Sequence, residues 1–174
     1  MASGNLLARW NALDNEPPST SYATRDEIVA ATGLRPVLDF DSAADEVAVF
    51  SGVLPANYAG GGFTLKLHGA MDSANAGGET ISIDAAFELV DNNFALGAAG
   101  SDFAAANNSG AVAVDATAND LFIVTITFTD GADSDSIAAN KAYRLKITRD
   151  ADSTTAADNA AGDWQLLEVV LTET

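Results

Sequence analysis

One histidine, no cysteine and a large surplus of carboxylates bound the chemistry open to this chain of 174 residues. The missing thiols exclude disulfides, thiolate metal sites and a cysteine nucleophile. His68 is the sole imidazole, so any Ser–His–Asp relay has to run through it. It stands in the run FTLKLHG, in phase with Thr64 and Lys66 and out of phase with Leu65 and Leu67. That is the polar side of an alternating segment. No G-x-S-x-G elbow occurs, and the glycines at 60–62 precede an alternating run and lack the lysine of a phosphate loop. His68 reads as a surface or interface residue, and the chain reads as a non-enzyme that needs no cofactor.

Carboxylates gather in two loops, Asp130, Asp133 and Asp135 in one and Asp150, Asp152, Asp158 and Asp163 in the other. Several oxygen ligands suit calcium, but neither spacing follows the twelve-residue EF-hand loop. Solvated turn residues are the expectation, with a weak calcium site at Asp130, Asp133 and Asp135 left open. Two acids can also serve a glycosidase. Such an enzyme needs an aromatic-lined cleft, and most of the 2 Trp, 3 Tyr and 8 Phe fit inward positions of strands. A non-catalytic carbohydrate-binding module is harder to dismiss, with Trp10, Trp164, Tyr58 and Tyr143 as candidate contacts. Lys66, Arg144, Lys146 and Arg149 make up half of the basic residues and lie on two runs. Neighbouring strands would turn them into a basic patch for an acidic partner. Otherwise they form cross-strand pairs worth at most about 1 kcal/mol each.

The segments that must position these residues are short and alternate with period two, as half-buried strands do. Ile81, Ile83, Ala85, Phe87 and Leu89 form the clearest run, with Ser82, Asp84, Ala86 and Glu88 between them. About eight strands are expected between Val37 and Thr172, on this periodicity. They are Val37–Asp41, Glu46–Ser51, Phe63–Gly69, Glu79–Val90, Ala111–Ala116, Asp120–Thr129, Ala142–Thr148 and Asp163–Thr172, the first two as a hairpin. A long connection, Asp91–Gly110, carries Phe94, Leu96 and Phe103, and loops of that length are uncommon without a task. In the last strand Trp164, Leu166 and Val170 oppose Leu167, Val169 and Leu171. Two apolar faces predict a central strand, or one covered by other chain. The fold class expected is all-β, an antiparallel β-sandwich of jelly-roll type, with an immunoglobulin-like sandwich as the alternative.

Residues 1–35 differ in character and read as an N-terminal arm ahead of a sandwich domain at 36–174. Leu6, Leu7, Trp10 and Leu13 predict an amphipathic turn, Pro17 and Pro18 an extended link, and Thr24 with Glu27 a capping box opening a helix to Ala31. The arm either packs on its own domain or reaches a neighbouring subunit through Leu6, Trp10, Tyr22 and Arg25. On the body, Lys66, His68, Arg144, Lys146 and Trp164 are the candidate partner contacts.

The net charge is −17, and the arm carries little of it, with three arginines against four acids. Repulsion of that size excludes direct binding to nucleic acid. No apolar run approaches the roughly 18 residues of a membrane span, and the N-terminal residues lack the pattern of a secretory signal.

The stretch VLDFDSAADEVAVFSGVLPANYAGGGFTLKL, Val37–Leu67, resembles segments of structural proteins of tailed, particularly marine, bacteriophages. So does the stretch from Thr125 to the C-terminus, which contains TITFTDGADSDSIAANKAYRLKITRD; Met71–Ala118 shows no such likeness. The resemblance implies a virion component with a sandwich fold. Its expected role is a capsid decoration (cement) protein, made in the host cytoplasm, that binds the assembled shell of major capsid protein as a homotrimer. A receptor- or glycan-binding module of a tail or fibre is the alternative.

Overall fold

The computed structural model describes residues 4–92, 94 and 103–174. Twelve strands build three antiparallel sheets, with two short 3-10 turns and no α-helix among the described residues. The larger sheet runs in the order β10 (Phe122–Phe128), β5 (Phe63–Met71), β12 (Trp164–Glu173), β3 (Gly33–Phe40), β2 (Thr24–Ala30), and β1 (Leu6–Asn11) also pairs with β12. The smaller runs β4 (Val47–Val53), β11 (Ala142–Arg149), β7 (Ile83–Val90), β8 (Asn107–Asn108). The strands β6 (Thr80–Ile81) and β9 (Val112–Ala113) pair by themselves.

The two large sheets pack face to face, as the alternation requires: inward residues of both enter one apolar cluster. Phe87 of β7 links them, with ring centroids 5.0 Å from Phe63, 4.9 Å from Phe128 and 5.8 Å from Tyr143. The expected all-β, jelly-roll-like sandwich is the observed fold.

The last strand shows how the pairing is arranged. It is central, flanked by β5 on one side and by β3 and then β1 on the other. A bulge between Leu166 and Glu168 shifts its phase. Trp164 and Leu166 therefore point inward before the bulge, and Val169 and Leu171 point inward after it. The two apolar faces read from the sequence are one face seen on either side of an extra residue. Gly69 of β5 lies against the Trp164 indole, and a Cβ there would stand 2.4 Å from Nε1, so only glycine lets the ring lie down.

Five expectations on arrangement are corrected. Val37–Asp41 and Glu46–Ser51 do not form a hairpin, because β3 pairs with β12 and β2 while β4 pairs with β11 across the sandwich. Thr24–Ala30 is a strand, not a capped helix: seven rungs with β3 outweigh the local capping signal. Glu79–Val90 is divided at Ser82, a buried position whose backbone N–H donates to Asp158 instead of to a neighbouring strand. Residues 1–35 are not a separate arm, since β1 and the β2–β3 hairpin belong to the larger sheet and the boundary at 35 falls inside β3. Trp10 is buried within its own sandwich, 5.9 Å from Phe50 and 6.2 Å from Tyr143, with its Nε1 donating to Ser51 O at 2.9 Å. An indole that staples two sheets is not free to anchor a partner. In place of the amphipathic turn stand β1 and the 3-10 turn Ala12–Asp14, capped by Asn11.

Candidate functional site

The outer face of the smaller sheet collects the chemistry. Alternation along β7 and β11 turns Asp84, Ala86 and Glu88, and Arg144 and Lys146, away from the core. Register sets Arg144 opposite Glu88 and Lys146 opposite Ala86. The Glu88 side chain is fully buried, and the Arg144 guanidinium donates to it through Nε and pairs with it through Nη2. A charge withdrawn from water in this way needs such a partner. The ring of Phe103 covers both cations, with the Arg144 Cζ 5.2 Å and the Lys146 Nζ 5.1 Å from its centroid. Both distances suit cation–π attraction. Asp84, beside them, accepts from Asn108 Nδ2 at 2.7 Å. Burial still holds its carboxyl above the ordinary carboxylate value.

A hollow of about 560 Å³ opens at one end of this face, lined by Glu16, Ser51, Val53, Val90, Phe94 and Arg144 among others. Its floor needs Gly52, because a Cβ there would come within 2.8 Å of the Tyr143 hydroxyl. Glu16 accepts from Ser51 Oγ at 2.7 Å on the rim. The combination is an apolar wall, an aromatic ring and a few fixed polar groups, the usual constitution of a small-molecule or sugar site.

The expected contacts are scattered. Arg144 and Lys146 lie on this face, but Lys66 and His68 lie on β5 in the opposite sheet. Arg149 is wholly buried, bidentate on Asp158 with both bonds at 2.9 Å. No basic patch therefore forms, because the strands carrying those residues are not neighbours. Burial, together with Lys66 and Arg9, lowers the pKa of His68. Trp164 and Tyr58 are core residues, as is Tyr143, whose hydroxyl burial pushes upward. These three and Trp10 are thereby unsuited as sugar contacts. Leu6 is exposed on β1, while Tyr22 and Arg25 share a small hollow with Leu13 at another place.

The expected calcium cluster does not converge. Asp130 accepts from the N–H of Gly131, Asp133 from the N–H and hydroxyl of Thr129, and Asp135 from the N–H of Leu89. The first two are the expected turn roles, whereas Asp135 ties its loop to β7. Of the second acidic loop, Asp158 is spent on Arg149 and Asp163 accepts from the N–H of Ser42. Asp150 and Asp152 do meet Asp45, each offering an oxygen within 4.8 Å of the others. Asp150 is buried, which alone would raise its pKa. Hydrogen bonds from Thr155, Thr154 and Ala156 more than offset this and hold it at about 2. The long connection Asp91–Gly110 is described only in part: Leu96 lies outside the described residues, while Phe94 and Phe103 flank the face just outlined.

No protein-family model and no curated protein matches the chain. Solved structures do. The second xylan-binding CBM22 domain of a Paenibacillus barcinonensis xylanase superposes with a TM-score of 0.52 at 13% identity, covering 92% of each chain. A Clostridium thermocellum endo-1,4-β-D-xylanase (CBM22 and GH10 modules, with xylohexaose) gives a TM-score of 0.54 at 13% identity. This chain, matched over its full 100%, spans only 29% of that one. The C-terminal CBM6 of a laminarinase from Zobellia galactanivorans has a TM-score of 0.49 at 9% identity over 95% of this chain and 98% of its own. The likeness is one of fold: this is a β-sandwich of the jelly-roll kind that carbohydrate-binding modules share.

Proposed function

We propose that the chain is a non-catalytic carbohydrate-binding module that seats a glycan on the outer face of its smaller sheet. The observation that carries this is the Glu88–Arg144–Phe103 arrangement beside the hollow. Phe103 and Phe94 supply apolar faces for the C–H side of a sugar ring. Arg144, Lys146 and the Glu16–Ser51 rim supply charged donors and acceptors for its hydroxyls. Ser51 and Glu16 serve in this reading as rim groups, and the role proposed for the face is binding alone. Under the resemblance noted in the sequence, such a module would serve on a phage tail or fibre. A capsid-decoration role finds no comparable support, since Trp10 and Trp164, offered as its contacts, are occupied within the core.

Calorimetric titration of the whole chain with soluble xylan, mixed-linkage β-glucan and β-galactan tests the reading. At least one is expected to bind, and Phe103→Ala is expected to weaken it tenfold or more, about 1.4 kcal/mol. Ile123→Ala, on the opposite sheet, should leave affinity unchanged. Absence of binding to every polysaccharide, or full affinity in Phe103→Ala, rejects the proposal.

A further inference from the structure

On the other outer face, that of the larger sheet, we propose that Asp26, Asp39 and Gln165 form a binding site for a hard, oxygen-seeking cation such as calcium. Register brings them together: Gln165 of β12 and Thr24 of β2 stand opposite Asp39 of β3 on either side, and Asp26, two residues from Thr24, lies diagonal on the same face. Residues directly opposite each other on paired strands bring their side chains close, so Gln165 stands next to Asp39, with Asp26 at the diagonal. None of the ion pairs among the described residues includes Asp26 or Asp39.

The second, independent observation is a pair of orphaned acceptors. Gln165 is only 6% exposed, yet its amide oxygen has no hydrogen-bond partner, and neither has the buried Oδ1 of Asp39. Buried acceptors without donors are rare and costly. Elsewhere in this molecule buried carboxylates are filled, Asp150 by backbone N–H groups and Asp158 by Arg149. What remains open here is oxygen of two carboxylates and an amide, the donor set of calcium or a similar hard ion completed by water. A groove of about 350 Å³, lined by Ile28, Arg35, Ala70, Gln165 and Leu167 among others, reaches the Gln165 side chain from solvent.

The test uses the full chain, stripped with EDTA and titrated at pH 7.5 with calcium chloride, then with magnesium and sodium chloride. Calcium is expected to raise the melting midpoint by about 5–10 °C at a hundredfold excess over its Kd. Asp39→Asn and Asp26→Asn should each abolish the part of that shift, and of the binding heat, that belongs to this site. Asp152→Asn, which alters the separate Asp45–Asp150–Asp152 group, should leave that part intact. Asp26 is exposed, so its variant keeps the test valid even if Asp39→Asn folds poorly. The proposal falls if no cation shifts the wild-type midpoint, or if both Asp26→Asn and Asp39→Asn respond as wild type does.

Discussion

On the outer face of the smaller sheet the buried carboxylate of Glu88 meets the guanidinium of Arg144, whereas on that of the larger sheet the carboxyl of Asp39 has a second carboxyl, that of Asp26, as its diagonal neighbour. Both acids sit at outward positions of strands and both are withdrawn from water. They differ in what the neighbouring strand contributes. Strand β11 brings a cation to Glu88, and strands β2 and β12 bring an acid and an amide to Asp39. A matched charge becomes a rigid platform, onto which Phe103 can settle. An unmatched one stays available to a proton or an ion. Opposite demands can thus be met on two faces of one sandwich, because each face needs only the inward residues to hold it.

The sharpest break in this contrast is made by removing a matched cation. Arg149 is the extreme case, with five hydrogen bonds to Asp158, Phe40, Gly162 and Ala160 and no exposure. Arg149→Met leaves Asp158 buried without its counter-charge and is expected to cost about 3–5 kcal/mol in denaturant unfolding. Asp39→Asn should act in the opposite direction at neutral pH and without added metal. Relief of a repelling, partly buried carboxylate is expected to stabilise by about 1 kcal/mol, once solvent screening of this half-exposed group is allowed for.

The pH profile separates the two kinds of acid further. A carboxyl raised from 3.8 to about 6 in the folded state binds more protons there than when unfolded. Its contribution is greatest below 3.8, falls as pH rises from 3.8 to about 6, and is level above. Metal-free wild-type protein should therefore gain stability from pH 7 toward pH 4, and Asp39→Asn should lose that gain. Asp150, held at about 2, behaves in reverse: its contribution is present above 3.8 and drains away as pH falls toward 2. Urea midpoints measured from pH 2 to 8 would display both limbs. The smallest effect is expected at Arg9, whose pair with Glu168 is largely exposed at the arginine. Arg9→Gln should change stability by no more than about 0.5 kcal/mol, as exposed pairs do.

The period-two alternation of the chain was enough to declare an antiparallel sandwich, to place Phe63–Met71, Phe122–Phe128, Ala142–Arg149 and Trp164–Glu173 almost to the residue, and to set His68, Glu88, Arg144 and Lys146 on outward faces. Alternation is local, arising from the pleat of a single strand, and so it survives in one dimension. Which strands are neighbours does not. That β11 lies beside β7, β5 beside β12 and β2 beside β3 determines that Arg144 finds Glu88, that Lys66 and Arg144 stand on opposite sheets, and that Asp26 and Asp39 share one face. The same holds for β1, whose Trp10 the sequence leaves between packing on its own domain and anchoring a partner, and which is a core staple because β1 pairs with a strand some 160 residues away. A bulge of one residue in β12 is equally silent in the sequence, yet it turns two apparent apolar faces into one. Composition and periodicity decided the architecture because each residue carries its own preference for core or water. The sites were decided by long-range pairing, because a buried charge is defined by whatever the next strand places against it.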